Sequence, residues 1–493
     1  MVNSSYILSI DQGTTGTTVL LVDSNGNIVS QGYKEFTQYY PQPGWVEHNP
    51  DEIWEATQDA IKESLDKTDT DISIAGIGIT NQRETTVIWD RKTGKPIYPA
   101  IVWQCRRTAE ICNELRTEES VAEDIRAKTG LVIDPYFSAT KIAWILDSVN
   151  GARAKAEKGE LAFGTIDTWL LWKLTDGTEH KTDYTNASRT LLFDIDALKW
   201  DESLLHIFNV PETILPEVYP SSSHFGVVRI PPLEGIPICG IAGDQQSALF
   251  GQLCTQPDMV KNTYGTGCFL MLNTGSERIA SKSGLLTTLA CSLNAEPVYA
   301  LEGSVFVAGA AVQWLRDGLG IIESAAATEK LAEQVEDTAG VVVVPAFTGL
   351  GAPYWNADVR GAIFGLTRGT TQEHIVRATL ESIAFQSADV VTSMMTDAGT
   401  SLERIRVDGG AVASDFLMQF QADILNIEVE RPERIETTGL GAAYLAGLSS
   451  GVWHDVAELE KHRKINNVFV PQMDSKQREL KLRDWRNAVR RLN

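Results

Sequence analysis

The chain has 493 residues, of which 43% are hydrophobic and 22% charged, with 39 glycines and 18 prolines. This composition is close to that of average globular proteins and excludes disordered, collagen-like and coiled-coil classes, and the length predicts more than one domain. The net charge of −22 argues against nucleic-acid partners and against anionic membranes, because both require a cationic protein face.

Six cysteines are scattered along the chain without the CxxC or His-paired spacing of a metal site. They are expected to be buried, reduced thiols. The N-terminus has no signal-peptide pattern, and no apolar run approaches the ~20 residues that span a bilayer. The sequence therefore predicts a cytoplasmic protein without a membrane partner.

The first 80 residues predict the order β-β-β-α-β. Strands are expected at 6–10, 19–23, from 28 and at 72–80, with a helix at 51–67, a hairpin turn at 24–27 and a solvated loop at 66–71. The Gly/Thr-rich loop at 11–18 thus joins two strands, whereas P-loop and dinucleotide folds place such a loop between a strand and a helix. Neither GxxxxGK[ST] nor a GxGxxG after a strand occurs. We therefore predict a hairpin that cradles phosphate.

A similar order begins near residue 258. Strands are predicted at 259–263, 268–273, 404–407 and 427–430, helices at 304–319, 372–397, 414–426 and 439–448, and a charged helical cap at 461–493. The turn Tyr264-Gly265-Thr266-Gly267 echoes the first Gly/Thr loop. Two α/β halves are therefore expected, with a boundary between 244 and 258 and a central cleft between two facing hairpins.

The first loop carries the simplest candidate phosphate site. Asp11 is followed by glycines, threonines and Gln12, and backbone amides with threonine hydroxyls bind phosphate without a side-chain cation. Asp11 is a candidate Mg²⁺ ligand, through water, because that ion keeps much of its hydration shell. The same residues fit a Gly/Thr hairpin that binds nothing equally well.

A cation and an anion, Arg83 and Glu84, follow the predicted strand 72–80, at the end where open α/β sheets contact ligands. Together they can grip a polyol, whose hydroxyls both donate and accept hydrogen bonds. Trp103 and Tyr136 are candidates for apolar and hydroxyl contacts to such a ligand. A surface ion pair and two core aromatics are the alternative interpretation.

Asp244 is the candidate general base. It follows an apolar strand at 237–242 and precedes a predicted helix at 247–253, where a carboxylate can accept the proton of an attacking alcohol. An N-cap aspartate is the alternative. Gly409 and Gly410, between a strand and a helix, fit either a wall for adenine or ribose or a tight turn.

Eight segments resemble, in order and spacing, the FGGY family of carbohydrate kinases, and within it the members that phosphorylate glycerol. They cover nearly the whole chain: DQGTT at 11–15, PGWVEHNP at 43–50, NQRETT at 81–86, YFSATKIAW at 136–144, GDQQSALFGQ at 243–252, NTYGTG at 262–267, VDGG at 407–410 and GLGAAYLAG at 439–447.

The resemblance implies two actin-like ATPase domains of the ribonuclease H-like type, with polyol and phosphate binding at 1–250 and nucleotide binding at 251–493. It implies ATP-dependent phosphorylation of glycerol to sn-glycerol 3-phosphate, the first step of glycerol catabolism, with ATP and Mg²⁺ as cofactors. A homodimer or higher homo-oligomer is also expected.

The family motifs also imply roles for single residues. Asp244 would be the general base, and Asp11 with Asp244 would organise Mg²⁺. Glycerol would be held by Arg83, Glu84, Trp103, Tyr136, Asp244, Gln245 and Phe269. ATP would be contacted by Thr14, Thr15, Gly16, Thr18, Thr266, Gly309, Gln313, Gly410 and Ser414. Thr18 stands where many family members carry an arginine, and Ser414 stands where they carry an asparagine.

Two alternatives stay open at this point. A kinase for a larger sugar or polyol would use the same phosphate loops, although the bulky Trp103, Tyr136 and Phe269 favour a small triol. A nucleotide-driven conformational protein, such as an actin-like filament subunit or a chaperone ATPase, would also use the hairpins. Such a protein has no use for Arg83, Glu84 and Gln245 as polyol ligands.

Overall fold

The structure is a computed structural model that describes residues 5–68, 72–356 and 358–492. The chain divides into two compact units. The first unit comprises Met1–Leu253, Thr287–Tyr299 and Thr437–Arg463, and the second comprises Cys254–Leu286, Ala300–Glu436 and Lys464–Asn493.

The strands are β1 (Ser5–Gln12), β2 (Gly16–Val22), β3 (Ile28–Glu35), β4 (Glu47–His48), β5 (Ser73–Asn81), β6 (Val87–Asp90), β7 (Ala100–Ile101), β8 (Leu161–Gly164), β9 (Lys181–Asp183), β10 (Phe193–Asp194), β11 (Lys199–Trp200), β12 (Glu217–Tyr219), β13 (Ser222–Val227), β14 (Pro237–Gly243), β15 (Val260–Tyr264), β16 (Cys268–Gly275), β17 (Leu286–Leu289), β18 (Tyr299–Val305), β19 (Val342–Val344), β20 (Ala362–Phe364), β21 (Arg404–Asp408), β22 (Glu428–Pro432) and β23 (Ile465–Phe469).

The helices are α1 (Pro50–Asp66), α2 (Ala109–Arg116), α3 (Glu119–Thr129), α4 (Ser138–Ser148), α5 (Ala152–Glu157), α6 (Ile166–Leu174), α7 (Tyr184–Ala187), α8 (Glu202–Ile207), α9 (Asp244–Gly251), α10 (Gly309–Gln313), α11 (Ala327–Ala332), α12 (Gln372–Ala398), α13 (Asp415–Leu425), α14 (Thr437–Ser450), α15 (Val456–His462) and α16 (Ser475–Arg490).

The main sheet of the first unit has the strand order β13-β14-β5-β1-β2-β3. β1, β2 and β3 run antiparallel, whereas β1, β5 and β14 run parallel. Gln12 and Gly243 both lie in register with Asn81. The carboxyl ends of the parallel strands therefore bring the segments after residues 11, 81 and 243 to one edge of the sheet, where open α/β sheets bind ligands.

Both faces of this sheet are buried, because alternate strand residues point to opposite sides. Leu8 and Ile10 pack with residues of α1 and α6 on one face. Ile7 packs with residues of α9 and α14 on the other face. Continuous apolar strands in the sequence are typical of a sheet covered in this way.

The main sheet of the second unit repeats the arrangement, with β18, β16, β15, β21, β22 and β23 side by side in that order. β15 and β16 form an antiparallel hairpin, and β15, β21 and β22 run parallel. Helices α12, α13 and α16 contribute to its core, in which Phe385 stacks on Trp485 at 5.3 Å between ring centroids. The predicted α/β repeat is therefore confirmed as a repeat of topology.

Several predicted boundaries were wrong. The loop expected at 11–18 covers 13–15, because the β1/β2 ladder pairs Asp11 with Thr18 and Gln12 with Thr17. The helix expected from 304 starts at Gly309, after β18 has continued through Val305. The helix expected from 247 starts at Asp244.

The C-terminal segment at 461–493 also differs from the predicted helical cap. It contains β23, which pairs antiparallel with β22, before α16 begins. Of the loop predicted at 66–71, residue 66 ends α1 and residues 69–71 lie outside the described residues.

All six cysteines are buried and free, as predicted. In the part of the chain that the structure describes, none of the helices combines the length and apolar character that crossing a membrane requires.

Candidate active site

The β1/β2 hairpin has a tight turn that depends on glycine. The Gly13 amide donates to the Gly16 carbonyl at 2.9 Å. A Cβ on Gly16 would lie 2.7 Å from the Lys34 carbonyl oxygen and 2.8 Å from the Tyr33 ring, closer than such contacts allow. Thr15 is exposed at the tip and Thr14 is half-buried, so this turn can present amides and hydroxyls to an anion.

The hairpin is joined to the end of β5 by a buried amide network. The Gln82 amide N–H donates to the Gln12 carbonyl at 2.7 Å, and Gln82 Nε2 donates to Gln12 Oε1 at 3.1 Å. Thr85 Oγ1 donates to Gln82 Oε1 at 2.9 Å. These contacts fix the hairpin relative to the Arg83–Glu84 segment.

Arg83 brings the predicted polyol residues together. Its Nε lies 3.2 Å from Asp244 Oδ1, and its Nη2 donates to the Tyr136 hydroxyl at 3.5 Å. Its Nη1 donates to Gln246 Oε1 at 3.2 Å. The Arg83 side chain is 2% exposed and that of Asp244 is 27% exposed. The buried guanidinium therefore orients a carboxylate that solvent and ligands can reach.

Glu84 follows Arg83 in a left-handed backbone conformation with φ of 58°, which costs on the order of 1 to 3 kcal/mol for a residue with a side chain. Its carbonyl accepts from Thr86 Oγ1, Ser138 Oγ and Lys141 Nζ, each at 3.1 Å. Its carboxylate Oε1 accepts from Arg189 Nε at 2.6 Å. These hydrogen bonds offset the backbone strain and direct the side chain.

Asp244 is the first residue of α9, and Gly243 occupies the N-cap position. The alternative interpretation of Asp244 as an N-cap aspartate was therefore wrong. The Gly243 amide donates to Thr185 Oγ1 at 2.8 Å, and the fully buried Asp183 accepts from the Thr185 hydroxyl. The turn that presents Asp244 is thus held by α7.

Asp11 and Asp244 are close enough to influence each other's charge. Desolvation by burial, together with the negative charge of Asp244, raises the pKa of Asp11 to about 7. Two facing carboxylates suit Mg²⁺, which prefers oxygen ligands and retains several waters. Within the described residues, groups of three or more His, Cys, Asp or Glu side chains able to hold a metal ion are absent.

An aromatic pair lies beside the hairpin. Trp103 Nε1 donates to Thr14 Oγ1 at 3.0 Å. The rings of Trp103 and Tyr136 meet edge to face, with centroids 5.6 Å apart. This pair connects the predicted phosphate turn to the predicted polyol residues by direct contact.

In the second unit, the β15/β16 turn packs against the start of α10. The Gly265 amide donates to the Gly267 carbonyl at 2.9 Å, and the Gly309 amide donates to the Gly265 carbonyl at 3.0 Å. A Cβ on Gly309 would lie 2.6 Å from that carbonyl oxygen. Thr266 in the turn and Gln313 at the end of α10 are exposed, and Phe269 in β16 is half-buried.

The turn after β21 is open at Gly410. Gly409 has φ of +89°, and a Cβ on Gly410 would have nothing within 4 Å in the described part of the chain. Ser414 is the N-cap of α13, where its Oγ accepts from the Leu417 amide at 3.2 Å. The backbone at Gly410 can therefore approach a ligand closely, while the Ser414 hydroxyl has a structural partner.

Comparisons with known proteins agree on one family. Residues 6–251 match the N-terminal domain, and residues 260–450 the C-terminal domain, of the FGGY family of carbohydrate kinases. The chain belongs to this family. The FGGY chain is 57% identical to a glycerol kinase of Photorhabdus laumondii, over 100% of this chain and 98% of the relative. It is 58% identical to glycerol kinase 2 of Thermotoga maritima, over 99% of this chain and 98% of the relative.

Solved structures of FGGY kinases agree with this assignment. A Plasmodium falciparum glycerol kinase crystallised with ADP matches with a TM-score of 0.93 and 42% identity, over 99% of this chain and 98% of that chain. A gluconate kinase from Lactobacillus acidophilus matches with a TM-score of 0.88 and 22% identity, over 99% of this chain and 97% of that chain. This match shows only that the two proteins share a fold. The two-unit α/β architecture is thus the actin-like ATPase fold predicted from the sequence.

The first unit of this FGGY kinase joins Arg83, Glu84, Asp244, Tyr136 and Trp103 in one contact network. Thr18 lies in β2, opposite Asp11 in the ladder. Gln245 lies in the first turn of α9, and the adjacent Gln246 accepts a hydrogen bond from Arg83. The remaining predicted residues, Thr266, Phe269, Gly309, Gln313, Gly410 and Ser414, lie in the second unit.

Sequence reasoning missed Lys141, Arg189 and Gln246. Lys141 had a local signal, because it is a lysine among the buried residues of a largely apolar helix. Arg189 had no such signal, since its partner lies 105 residues away in the chain. Gln246 lies in the GDQQSALFGQ segment beside Asp244, but its partner Arg83 lies 163 residues away.

Proposed function

We propose that this FGGY kinase transfers the γ-phosphoryl group of ATP to glycerol and releases sn-glycerol 3-phosphate, the first step of glycerol catabolism. The observation that carries the proposal is the contact of Arg83 with both Asp244 and Tyr136 at the carboxyl edge of the sheet. Relatives that bear the name glycerol kinase align over the full length of the chain, which supports the choice of acceptor.

Glycerol would be held through its hydroxyl groups and its carbon backbone. The Glu84 carboxylate would accept from a hydroxyl, and Arg83 would donate to another. Tyr136 and Gln245 would add hydrogen bonds, while Trp103 and Phe269 would cover the carbon face. The bulky Trp103, Tyr136 and Phe269 would favour a three-carbon triol over five- and six-carbon sugars.

Asp244 would act as the general base. Its partly exposed carboxylate would take the proton of the attacking hydroxyl as that oxygen forms a bond to the γ-phosphorus and ADP departs. Arg83 would orient this carboxylate from behind. When bound, Mg²⁺ held by Asp11 and Asp244 would neutralise the charge of the phosphates.

The nucleotide would be bound mainly by backbone and hydroxyl groups. Thr14, Thr15, Gly16 and Thr18 would contact the phosphates from residues 1–250. Thr266, Gly309, Gln313, Gly410 and Ser414 would contact the nucleotide from residues 251–493. The tight turn at Gly16 and the open backbone at Gly410 support this division.

Two wider properties are part of the same proposal. The six free thiols support a reducing compartment, the cytoplasm, which fractionation of the native host would test. We also propose that the chain forms a homodimer or a higher homo-oligomer, which light scattering on the eluted protein would measure as a multiple of 54.1 kDa.

A coupled assay of ADP release tests the activity, with glycerol, xylulose or no acceptor in parallel reactions. We expect rapid turnover with glycerol and slow turnover with the other two. Higher kcat/KM with xylulose would instead assign a larger-sugar kinase. ADP release that is independent of any acceptor would favour a nucleotide-driven conformational protein.

A further inference from the structure

Two fully buried cations contact Glu84, one at its carboxylate and one at its backbone carbonyl. The Arg189 and Lys141 side chains are both 0% exposed. Arg189 contacts the Glu84 carboxylate, and Lys141 contacts its backbone carbonyl. Buried cations are strongly disfavoured unless they are paired and hydrogen-bonded, so their placement at one residue calls for a role.

Arg189 defines the position of the acceptor oxygens. Its Nε donates to Glu84 Oε1 at 2.6 Å, the geometry of a strong charge-assisted hydrogen bond. Its guanidinium also lies 5.6 Å from the Tyr136 ring centroid and 5.2 Å from that of Phe137. One planar cation therefore supports both the carboxylate and the phenol of the proposed polyol site.

Lys141 connects the same two segments through their backbones. Its Nζ donates to the Glu84 carbonyl at 3.1 Å and to the Tyr136 carbonyl at 2.7 Å. The first of these bonds holds the left-handed conformation of Glu84. Lys141 lies on α4, whose first residue, Ser138, donates to the same carbonyl, so the helix start is aligned with the strained residue.

We propose that Arg189 and Lys141 are positioning residues that set the orientation of Glu84 and Tyr136 and thereby the affinity for the polyol. This inference rests on the proposed function and adds residues that act through the ligand-contacting side chains. Neither cation is proposed to contact the nucleotide. A substitution of either one is therefore expected to change the affinity for the acceptor substrate.

The test compares Arg189→Lys with the unmodified enzyme. Lysine keeps the charge but loses the planar fork and the stacking on the two rings. We expect the KM for glycerol to rise about 10- to 100-fold, as small misplacements of binding groups can produce, while the KM for ATP stays within about twofold. Calorimetric titration with glycerol alone should show the same loss of affinity.

Arg377→Lys is the matched control. Arg377 lies in the second unit, pairs with Glu381 at 3.1 Å and lies over the Phe416 ring at 5.0 Å. The same chemical change there should leave the KM for glycerol unchanged. Lys141→Met provides a second variant, which should raise the KM for glycerol in the same direction because the Glu84 and Tyr136 carbonyls lose a shared donor.

Each outcome decides the assignment. An unchanged KM for glycerol in Arg189→Lys, an equal rise in both KM values, or a variant that does not fold would overturn the positioning role and leave a structural one. Glycerol binding without turnover in the unmodified enzyme would refute the proposed function, while the titration would still test Arg189. Absence of glycerol binding in the unmodified enzyme would overturn both.

Discussion

Single side chains in the first unit perform separate tasks because their burial differs. Arg83 is almost completely enclosed, so it serves as a fixed donor, while Asp244 beside it is about one quarter exposed and can meet a substrate. The ion pair between them restrains the carboxylate. A substitution of the partly exposed Asp244 is therefore expected to leave the core largely undisturbed.

Asp244→Asn should lose turnover by about 10²-fold or more, because an amide cannot accept the proton of the attacking hydroxyl. The steric similarity of the two side chains should leave the fold intact. Steady-state kinetics measures the loss, and circular dichroism with a thermal melt checks the fold. Turnover close to that of the unmodified enzyme would show that another group is the base.

His48 is expected to make the free energy of unfolding depend on pH. Its Nε2 lies 2.6 Å from Gln38 Oε1, and burial lowers its pKa to about 4, with a small opposing effect of Glu52. Below about pH 6.5, the His48 imidazole is protonated in the unfolded chain but stays neutral in the folded protein. The free energy of unfolding should therefore decline by up to ~1.4 kcal/mol per pH unit until about pH 4.

Urea unfolding between pH 7 and pH 4.5 measures this decline. His48→Gln should reduce its slope, because the variant has no imidazole to protonate. The exposed His454 gives a control variant, His454→Gln, for which the unmodified slope is expected. Identical slopes in both variants would show that His48 does not contribute.

At the scale of elements, α9 and α14 determine where Asp244 lies. They approach so closely that a Cβ on Gly441 would sit 1.9 Å from the Ser247 carbonyl oxygen, and one on Gly251 would sit 1.9 Å from that of Thr437. Both contacts are with backbone, which cannot rotate away. The helix that begins at Asp244 is therefore held by the absence of side chains at these positions.

Gly441→Ala should lower the free energy of unfolding by about 1 to 3 kcal/mol, as overpacking does, and should lower kcat because α9 must move. Thermal melts and kinetics measure the two effects. Gly369→Ala is the control, since the nearest heavy atom among the described residues would be 3.8 Å away. If Gly441→Ala matches this control, the close approach of the two helices does not restrain Asp244.

At the scale of the whole molecule, the acidic charge and the proposed nucleotide site are compatible. The chain has a net charge of −22, yet the candidate phosphate turns at 13–15 and 265–267 contain glycine and threonine and no lysine or arginine. Backbone amides and Mg²⁺ would supply the positive potential there. At distances beyond these local contacts, the net negative charge of the protein repels an anionic nucleotide.

Screening should therefore favour nucleotide binding. Raising the salt concentration from about 0.01 M to about 0.15 M shortens the range of the repulsion, so kcat/KM for MgATP should increase about two- to threefold. Glycerol is uncharged, and its kcat/KM at saturating nucleotide should stay constant. A decrease for MgATP would show that local positive potential outweighs the net charge.

The sequence by itself determined the features that depend on neighbouring residues. The β-β-β-α-β order, the hairpins at the Gly/Thr segments 11–18 and 264–267, and the candidate residues Arg83, Glu84 and Asp244 are local patterns of alternation, turn chemistry and motif. The repeat of topology in the second half follows from the same patterns. The regular alternation and spacing of apolar residues therefore predicted the fold.

The tertiary structure decided how those residues are held. Gln246 reaches Arg83 and Arg189 reaches Glu84 across more than 100 residues of chain, and Lys141 stabilises a left-handed backbone that no local pattern indicated. The extra strand β23 joins its sheet because β22 offers an edge. Such contacts form only when distant segments of the chain pack together. The pattern of residues along the chain therefore does not predict which buried cation pairs with which carboxylate.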